Sequence, residues 1–227
     1  ALSEEAWVAH PDIDVFVWPE GAIRGDPRAG RHQPLRDFAR RTGAEVWTGT
    51  ARAEDRDGER QHFGSGFRVR PDGVDEPYDK NVLLPFGEFM PLAEQFPILK
   101  KIKGVGNYQR GTELTVFDSP SGRFCYLICY EAVRPRYVRQ ALQKGVDLLV
   151  NGTYEGWFGD SACPHQHLML AAVQAAQYGV PMVRSATTGI SAFIDARGQL
   201  LATTPVFKRT TLVRSLRRAA VPTPYGA

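Results

Sequence analysis

Three short apolar runs in this chain stop abruptly on a reactive or polar group. Residues 12–20, DIDVFVWPE, end at Glu20; residues 124–131, FCYLICYE, pass through Cys129 to Glu131; residues 147–151, DLLVN, end at Asn151. Runs of this length and composition read as buried strands. A charged group directly after such a run is costly to bury unless it has a partner. The carboxyl ends of strands in open α/β sheets are where ligands bind. The three ends, with Lys80 just after a hairpin signal, therefore point to one shared pocket.

The segments between these runs alternate between strand and helix patterns. PLRDFARRTG (34–43) reads as a helix with Pro34 near its start and Gly43 as its stop. AEVWTGTAR (44–52) is a strand, and residues 63–80 form a hairpin turning at Asp72-Gly73. Residues 85–111 are rich in Pro and Gly and too irregular for one element. A second hairpin turns at residues 119–122, and RPRYVRQALQKG (134–145) is a helix ended by Gly145. The strand DLLV enters a long loop, and HQHLMLAAVQAAQYG (165–179) is a helix ended by Gly179 and Pro181. Residues 181–205 give two last strands with a turn at Arg197-Gly198. This alternation predicts an α/β fold, and the hairpins require mixed rather than purely parallel sheets. No repeat or low-complexity linker interrupts the pattern, so residues 1–227 are expected to form one domain.

Composition narrows the class. A hydrophobic content of 43% builds a full core without staples. The 28 basic residues are scattered, against 25 acidic ones, whereas a nucleic-acid surface would concentrate them in a patch. Three cysteines are too few for a disulfide framework, and their odd number leaves at least one thiol free or paired outside the chain. No window approaches 18 consecutive apolar residues, as a membrane span would need.

Cys129 is a candidate nucleophile at a strand end. An unperturbed thiol with a pKa of about 8.5 is only slightly ionised at neutral pH, so it needs a base or a positive neighbour. Glu20 is placed to take the proton and Lys80 to stabilise the thiolate and a later oxyanion, with the Tyr130 N–H as second donor. By residue type alone Cys129 reads first as a small core hydrophobe, as Cys125 does. Cys163 reads as a loop residue. His165 and His167 lie two apart, the wrong spacing for one helical face, and lack partners at metal spacing, so no metal is expected. GVGNYQRG (104–111) lacks the strand-to-helix context of a phosphate loop.

Five motifs in order, VWPEGAI, YDKNVLLPFGEFMPL, YLICYEAV, NGTYEGWFGDS and the later QH, resemble the apolipoprotein N-acyltransferase branch of the nitrilase superfamily from about Asp12 to about Tyr225. The resemblance implies a nitrilase-like sandwich of two mixed β-sheets flanked by helices, with a first strand expected before Ala1 and transmembrane helices outside this chain. It implies Glu20 as general base, Lys80 as catalytic lysine and Cys129 as nucleophile. Glu88 matches a supporting glutamate, Glu131 an acidic position with Tyr130 beside it, and Trp157 an aromatic of a mobile loop. We expect Glu88 and Glu131 to orient Lys80 and the strand end rather than to transfer protons; a solvated helix start is the other reading of Glu131.

The implied activity is two-step, ping-pong transfer of an acyl chain from a phospholipid, through a thioester on Cys129, to the N-terminal diacylglyceryl-cysteine amine of an apolipoprotein. No organic or metal cofactor is implied, and no nucleic acid. The implied location is the bacterial inner membrane, with the catalytic domain facing the periplasm. A soluble amidase or carbamoylase with the same triad is the alternative, and a catalytically dead domain that binds acylated partners a third. The chain departs from the family pattern at Tyr154-Glu155, where Asn-Asp is usual, at Gln174 and Gln177, and at Thr187. Two segments suit a lipid surface: residues 88–104, with Phe89, Met90, Leu92, Phe96, Ile98, Leu99 and Ile102 beside Lys100, Lys101 and Lys103, and YEGWFG, with Trp157 and Phe158 between glycines.

Overall fold

The computed structural model describes residues 2–56, 58–93, 95–96, 98–99, 102, 104–217 and 223–225. One sheet holds β1 (Val15–Val17), β2 (Glu45–Arg56), β3 (Glu59–Arg70) and β4 (Gly73–Val74) in that order, with β5 (Tyr78–Asp79) also paired to β3. The second holds β6 (Phe117–Ser119), β7 (Gly122–Ile128), β8 (Leu148–Tyr154), β9 (Met182–Thr187), β10 (Ala192–Ile194) and β11 (Leu200–Thr203), in the spatial order β11-β10-β9-β8-β7-β6. Pairing is parallel at β1/β2, β7/β8 and β8/β9 and antiparallel elsewhere, so both sheets are mixed, as expected.

The sheets pack face to face. Trp47 of β2 stacks on Phe124 of β7 with ring centroids 3.6 Å apart, and both belong to one core with residues 124–128. Successive side chains of a strand point to opposite faces. Trp47 therefore faces the second sheet while Val46 faces outward, where it packs with Phe16, Leu35, Phe38 and Ala39. The last three lie on α2 (Gln33–Thr42), at the spacing of one helical face. Its stop is Gly43, whose φ of 72° suits glycine. α1 (Leu2–Ala9) adds Ala6 to the same cluster. On the far side α3 (Pro135–Gln143) and α4 (Cys163–Tyr178) bring Val138, Ala141, Leu168, Ala171, Ala172 and Ala175 onto the second sheet. The layers run helix, sheet, sheet, helix.

Four local features differ from the sequence reading. α1 was not anticipated. The β2/β3 hairpin was missed because its outer part, from Ala53↔His62 to Arg56↔Glu59, is a largely polar ribbon without apolar alternation. The last region holds three strands rather than two, because Thr188 takes a φ of 64° and breaks the run between β9 and β10. Cys163 opens α4 instead of sitting in a loop.

One packing device connects the sheets to the site. Tyr126 of β7 lies against Gly66 of β3 and Gly152 of β8. A Cβ at Gly66 would stand 2.7 Å from Tyr126 Cδ1, and one at Gly152 would stand 1.9 Å from Tyr126 Oη, so neither position admits a side chain. Tyr126 Oη donates to the Trp18 carbonyl at 3.2 Å, two residues before Glu20.

Candidate active site

Parallel β7 and β8 bring Cys129 and Asn151 together, although Asn151, expected at a strand end, lies inside β8 opposite Leu127, and β8 runs on to Tyr154. β7 ends at Ile128, and the chain turns at once into a short 3-10 turn, Cys129–Val133. Cys129 is half-buried with a φ of 49°, the left-handed region that a non-glycine residue occupies at a cost on the order of 1 kcal/mol. Neighbouring groups hold it there. Asn151 Nδ2 donates to the Leu127 carbonyl at 2.8 Å and reaches the Cys129 carbonyl at 3.5 Å, and Glu131 Oε2 accepts the Ile128 amide at 2.9 Å.

Glu131 is fully buried, which rules out a solvated helix start. Its Oε1 accepts from the Tyr78 hydroxyl at 2.7 Å and from the Asn81 and Val82 amides at 2.8 and 3.0 Å. One carboxylate thus joins the backbone just after Lys80 to the backbone just before Cys129. Burial raises its pKa, opposed by Lys80 and by these donors.

Lys80 is fully buried, and its Nζ donates to Glu88 Oε1 at 2.6 Å. The other Glu88 oxygen accepts the Leu84 amide at 2.7 Å, which fixes the carboxylate. Burial works against the ammonium, but Cys129, Glu20, Glu88 and Glu131 together raise its pKa above the ordinary value, so Lys80 stays charged. The strand just before it, β5, is fixed by Asp79, which takes Arg52 at 2.6 Å and the Ser65 hydroxyl at 2.6 Å.

Glu20 Oε2 accepts the Tyr154 amide at 3.0 Å, and its carbonyl accepts the Thr187 hydroxyl at 2.9 Å. Burial, then Glu88 and Glu131, push its carboxyl up to about 7 against the pull of Lys80 and the Tyr154 amide. Burial and Glu20 likewise push the Cys129 thiol up, while Lys80 and the Thr153 hydroxyl pull it down. Glu20 and Cys129 therefore compete for protons beside one permanent cation. A carboxyl poised near neutrality is suited to take a proton from the thiol and return it.

The expected residues fall into place unequally. Glu20, Lys80, Cys129, Glu88 and Glu131 act on one another electrostatically in a single cluster. The Tyr130 hydroxyl accepts from Arg134 at 2.9 Å. Trp157 is 74% exposed and Phe158 half-buried in the 3-10 turn Gly156–Phe158. Cys125 is a core residue whose thiol burial pushes up. Among the described residues no group of three or more His, Cys, Asp or Glu is arranged to hold a metal.

Sequence reasoning missed several groups. Tyr154 and Thr187, noted only as departures, hold Glu20. Glu155, His167 and Arg184 form a buried polar chain behind Cys129 that ends on Asn151, which the sequence itself singles out. The available signal was Arg184 itself: a guanidinium inside the strand MVRSAT demands a buried acidic partner.

A four-layer sandwich that gathers a cysteine, a lysine and glutamates at its strand ends defines the class. The chain belongs to the carbon-nitrogen hydrolase family, whose profile it matches over residues 2–223. Solved structures share the fold: a carbon-nitrogen hydrolase from Helicobacter pylori has a TM-score of 0.68 at 13% identity, covering 89% of this chain and 76% of that one. Nit3 of Saccharomyces cerevisiae, a member of branch 10 of the nitrilase superfamily, has a TM-score of 0.67 at 18% identity, with 89% and 76% covered. By sequence the chain is similar to an apolipoprotein N-acyltransferase of Geobacter metallireducens, 35% identical over 95% of this chain and 42% of the relative. The protein of the same name from Haemophilus influenzae is 33% identical over 94% of this chain and 42% of the relative. The chain thus spans less than half the length of these curated relatives.

Proposed function

We propose that this chain is the catalytic part of an apolipoprotein N-acyltransferase, with Glu20, Lys80 and Cys129 as its catalytic residues. The observation that carries the reading is the buried Lys80 ammonium, held by Glu88 and acted on by Cys129 and Glu20 together. In the first step Glu20 takes the Cys129 proton and the sulfur attacks the ester carbonyl of a phospholipid. The tetrahedral oxyanion is stabilised by Lys80 and the Tyr130 N–H. Collapse breaks the acyl C–O bond, Glu20 returns its proton to the leaving alkoxide, and a lysophospholipid departs. In the second step the amine of a diacylglyceryl-cysteine attacks the thioester, Glu20 takes the amine proton, and Cys129 leaves as a thiolate that is reprotonated. Glu88, Glu131 and Tyr154 position these groups.

Amide-bond chemistry would use the same cluster, so the choice of an acyl donor in a membrane rests on the curated relatives and on an exposed apolar edge. Phe86, Leu92, Phe96, Ile98 and Ile102 are exposed in the segment that follows Lys80. Leu99 is half-buried there, and Lys100, Lys101 and Lys103 lie outside the described residues. Contiguous exposed apolar side chains mark an interaction surface. Among the described residues no helix is long and apolar enough to cross a membrane; attachment to an inner membrane, with this part facing the periplasm, belongs to the same proposal.

The test is mass spectrometry after incubation with a defined phospholipid. An adduct of the mass of one acyl chain on Cys129, discharged by a diacylglyceryl-cysteine peptide with appearance of its N-acyl form, supports the reading. Release of free fatty acid alone, or turnover of a simple amide in its place, overturns it in favour of a hydrolase.

A further inference from the structure

Behind the nucleophile lies a second ionisable cluster that the proposed chemistry does not use. Arg184 on β9 is buried, donates through Nη1 to Asn151 Oδ1 and through Nη2 to Glu155 Oε1, and gives its Nε to the Ile190 carbonyl at 3.2 Å. Glu155 Oε1 also lies 2.7 Å from His167 Nδ1, which stands 3.3 Å from Arg184 Nη2. Glu155 is 1% and His167 8% exposed. A buried arginine within a strand is expensive even when paired, so a chain that keeps one in contact with the nucleophile's support asks for a reason beyond stability.

We infer that Glu155, His167 and Arg184 are positioning residues that act on Cys129 through Asn151. An asparagine amide has two faces, one accepting and one donating. Because Arg184 donates to Asn151 Oδ1, the Nδ2 side must turn toward β7, where it meets the Leu127 and Cys129 carbonyls. With the amide reversed, an oxygen would face two carbonyl oxygens beside a residue already held at positive φ. Arg184 thus fixes which way Asn151 points, and Asn151 helps hold the turn on which the thiol sits. Glu155 supplies the negative charge that lets Arg184 stay buried. His167, whose pKa is lowered by burial first and also by Arg184, fills the remaining side as an uncharged ring, with the Cys129 backbone among the groups acting on it.

The backbone of the same residue holds the loop that carries Trp157 and Phe158. The Glu155 amide donates to the Thr187 carbonyl at 3.2 Å, its carbonyl accepts the Phe158 amide at 3.1 Å, and the Phe158 ring stands edge-on to His167 at 6.5 Å. Tyr154, the residue before it, carries the amide that holds Glu20. The bulk of Glu155 is accommodated at Gly189, where an added Cβ would lie 1.6 Å from Glu155 Oε2.

The inference deepens the proposed role of Cys129, and its test needs no acyl donor. In a Cys163→Ser background, the second-order rate of iodoacetamide alkylation at Cys129 is measured by mass spectrometry for Glu155→Gln, His167→Gln and Asn151→Ala, alongside each variant's melting midpoint. Displacing a reacting group by about an ångström costs up to roughly a hundredfold in rate, so folded variants are expected to lose at least about tenfold. With phospholipid as substrate, kcat should fall while KM stays near the wild-type value. A lowered midpoint with an unchanged alkylation rate in the folded protein would mean a purely structural role and would overturn the inference. Should Glu155→Gln fail to fold, His167→Gln and Asn151→Ala decide by the same criterion. Normal alkylation losses without any acyl adduct would instead sink the acyltransferase reading and leave this one standing.

Discussion

Glu131 Oε2 accepts the Ile128 amide at 2.9 Å, one residue ahead of Cys129. Because Oε1 takes the Asn81 and Val82 amides, the relationship fixes the distance between two segments far apart in sequence, one bearing Lys80 and the other Cys129. Glutamine has the same shape but only one accepting atom, and its NH2 would face an amide donor whichever way it turned. Glu131→Gln is therefore expected to lower stability by about 2–4 kcal/mol, the range for a buried charged acceptor whose donors lose their partner. Urea unfolding measures the first effect, and the Cys129 alkylation rate, expected to fall with it, measures the second. A variant with wild-type stability and reactivity would remove Glu131 from the support of the site.

The left-handed φ of Cys129 predicts an unusual order of stabilities. Cys129→Ala and Cys129→Gly should both abolish the proposed acyl transfer, since the sulfur is gone. Alanine keeps the backbone cost, whereas glycine removes it, at 1–2 kcal/mol for a residue in this region, and loses somewhat less to its greater freedom when unfolded. Cys129→Gly should therefore be at least as stable as Cys129→Ala, the reverse of the usual ranking of these residues within regular structure. Thermal midpoints compared at one pH give the answer, and a glycine variant clearly below the alanine variant would show that the turn imposes no strain.

The cluster was legible in the sequence as types and order, but not as geometry. Glu20, Cys129 and Asn151 announced themselves because each ends an apolar run, and a polar group there needs a partner. Lys80 stands out by its place just after a hairpin signal, whereas Glu88 rests on the resemblance, since the irregular stretch after β5 has no periodicity to read. Tyr126 was invisible for a different reason: its role depends on the missing side chains of Gly66 and Gly152, which lie on separate strands. Glu155 looked like a departure from a pattern because its partners, His167 and Arg184, are 12 and 29 residues away. The β2/β3 hairpin was hidden by the polar character of its outer half.

Glu20 carries a pH dependence of known sign. Burial lifts its folded pKa from an ordinary 4.5 to about 7, so the folded protein binds this proton more tightly than the unfolded chain. Stability from this group is full below 4.5 and is lost as pH rises to about 7, by at most about 3 kcal/mol. Glu20→Gln keeps an acceptor for the Tyr154 amide and has no proton to lose. The variant should therefore gain stability relative to the wild type between pH 4.5 and 7, although it is expected to form no acyl-enzyme. In the wild type, acylation should rise with pH through about 7 as Glu20 becomes an available base. Parallel stability curves for the two proteins, or acylation that is flat from pH 6 to 8, would contradict the assignment.

The last expectation concerns how the proposed lipid donor would reach Cys129. Ile98 is 65% exposed and Trp157 is 74% exposed, and each stands on a segment adjoining a residue of the cluster: the first on the stretch after Glu88, the second on the loop after Tyr154. Large apolar side chains so exposed gain about 1.5–3 kcal/mol each when they enter an apolar phase, and 1.4 kcal/mol is a factor of ten in an equilibrium constant. Ile98→Asp and Trp157→Asp should each reduce acyl transfer from phospholipid vesicles by about tenfold or more, because docking on the bilayer is weakened. With the same phospholipid dispersed in detergent, where no bilayer has to be met, activity should stay within about twofold and melting should be unchanged, as for ordinary surface substitutions. Equal losses in both assays would mean that these side chains serve the fold or the chemistry itself. Unchanged activity in both would mean that the substrate arrives by another face, and the exposed segment after Lys80 would need a different partner.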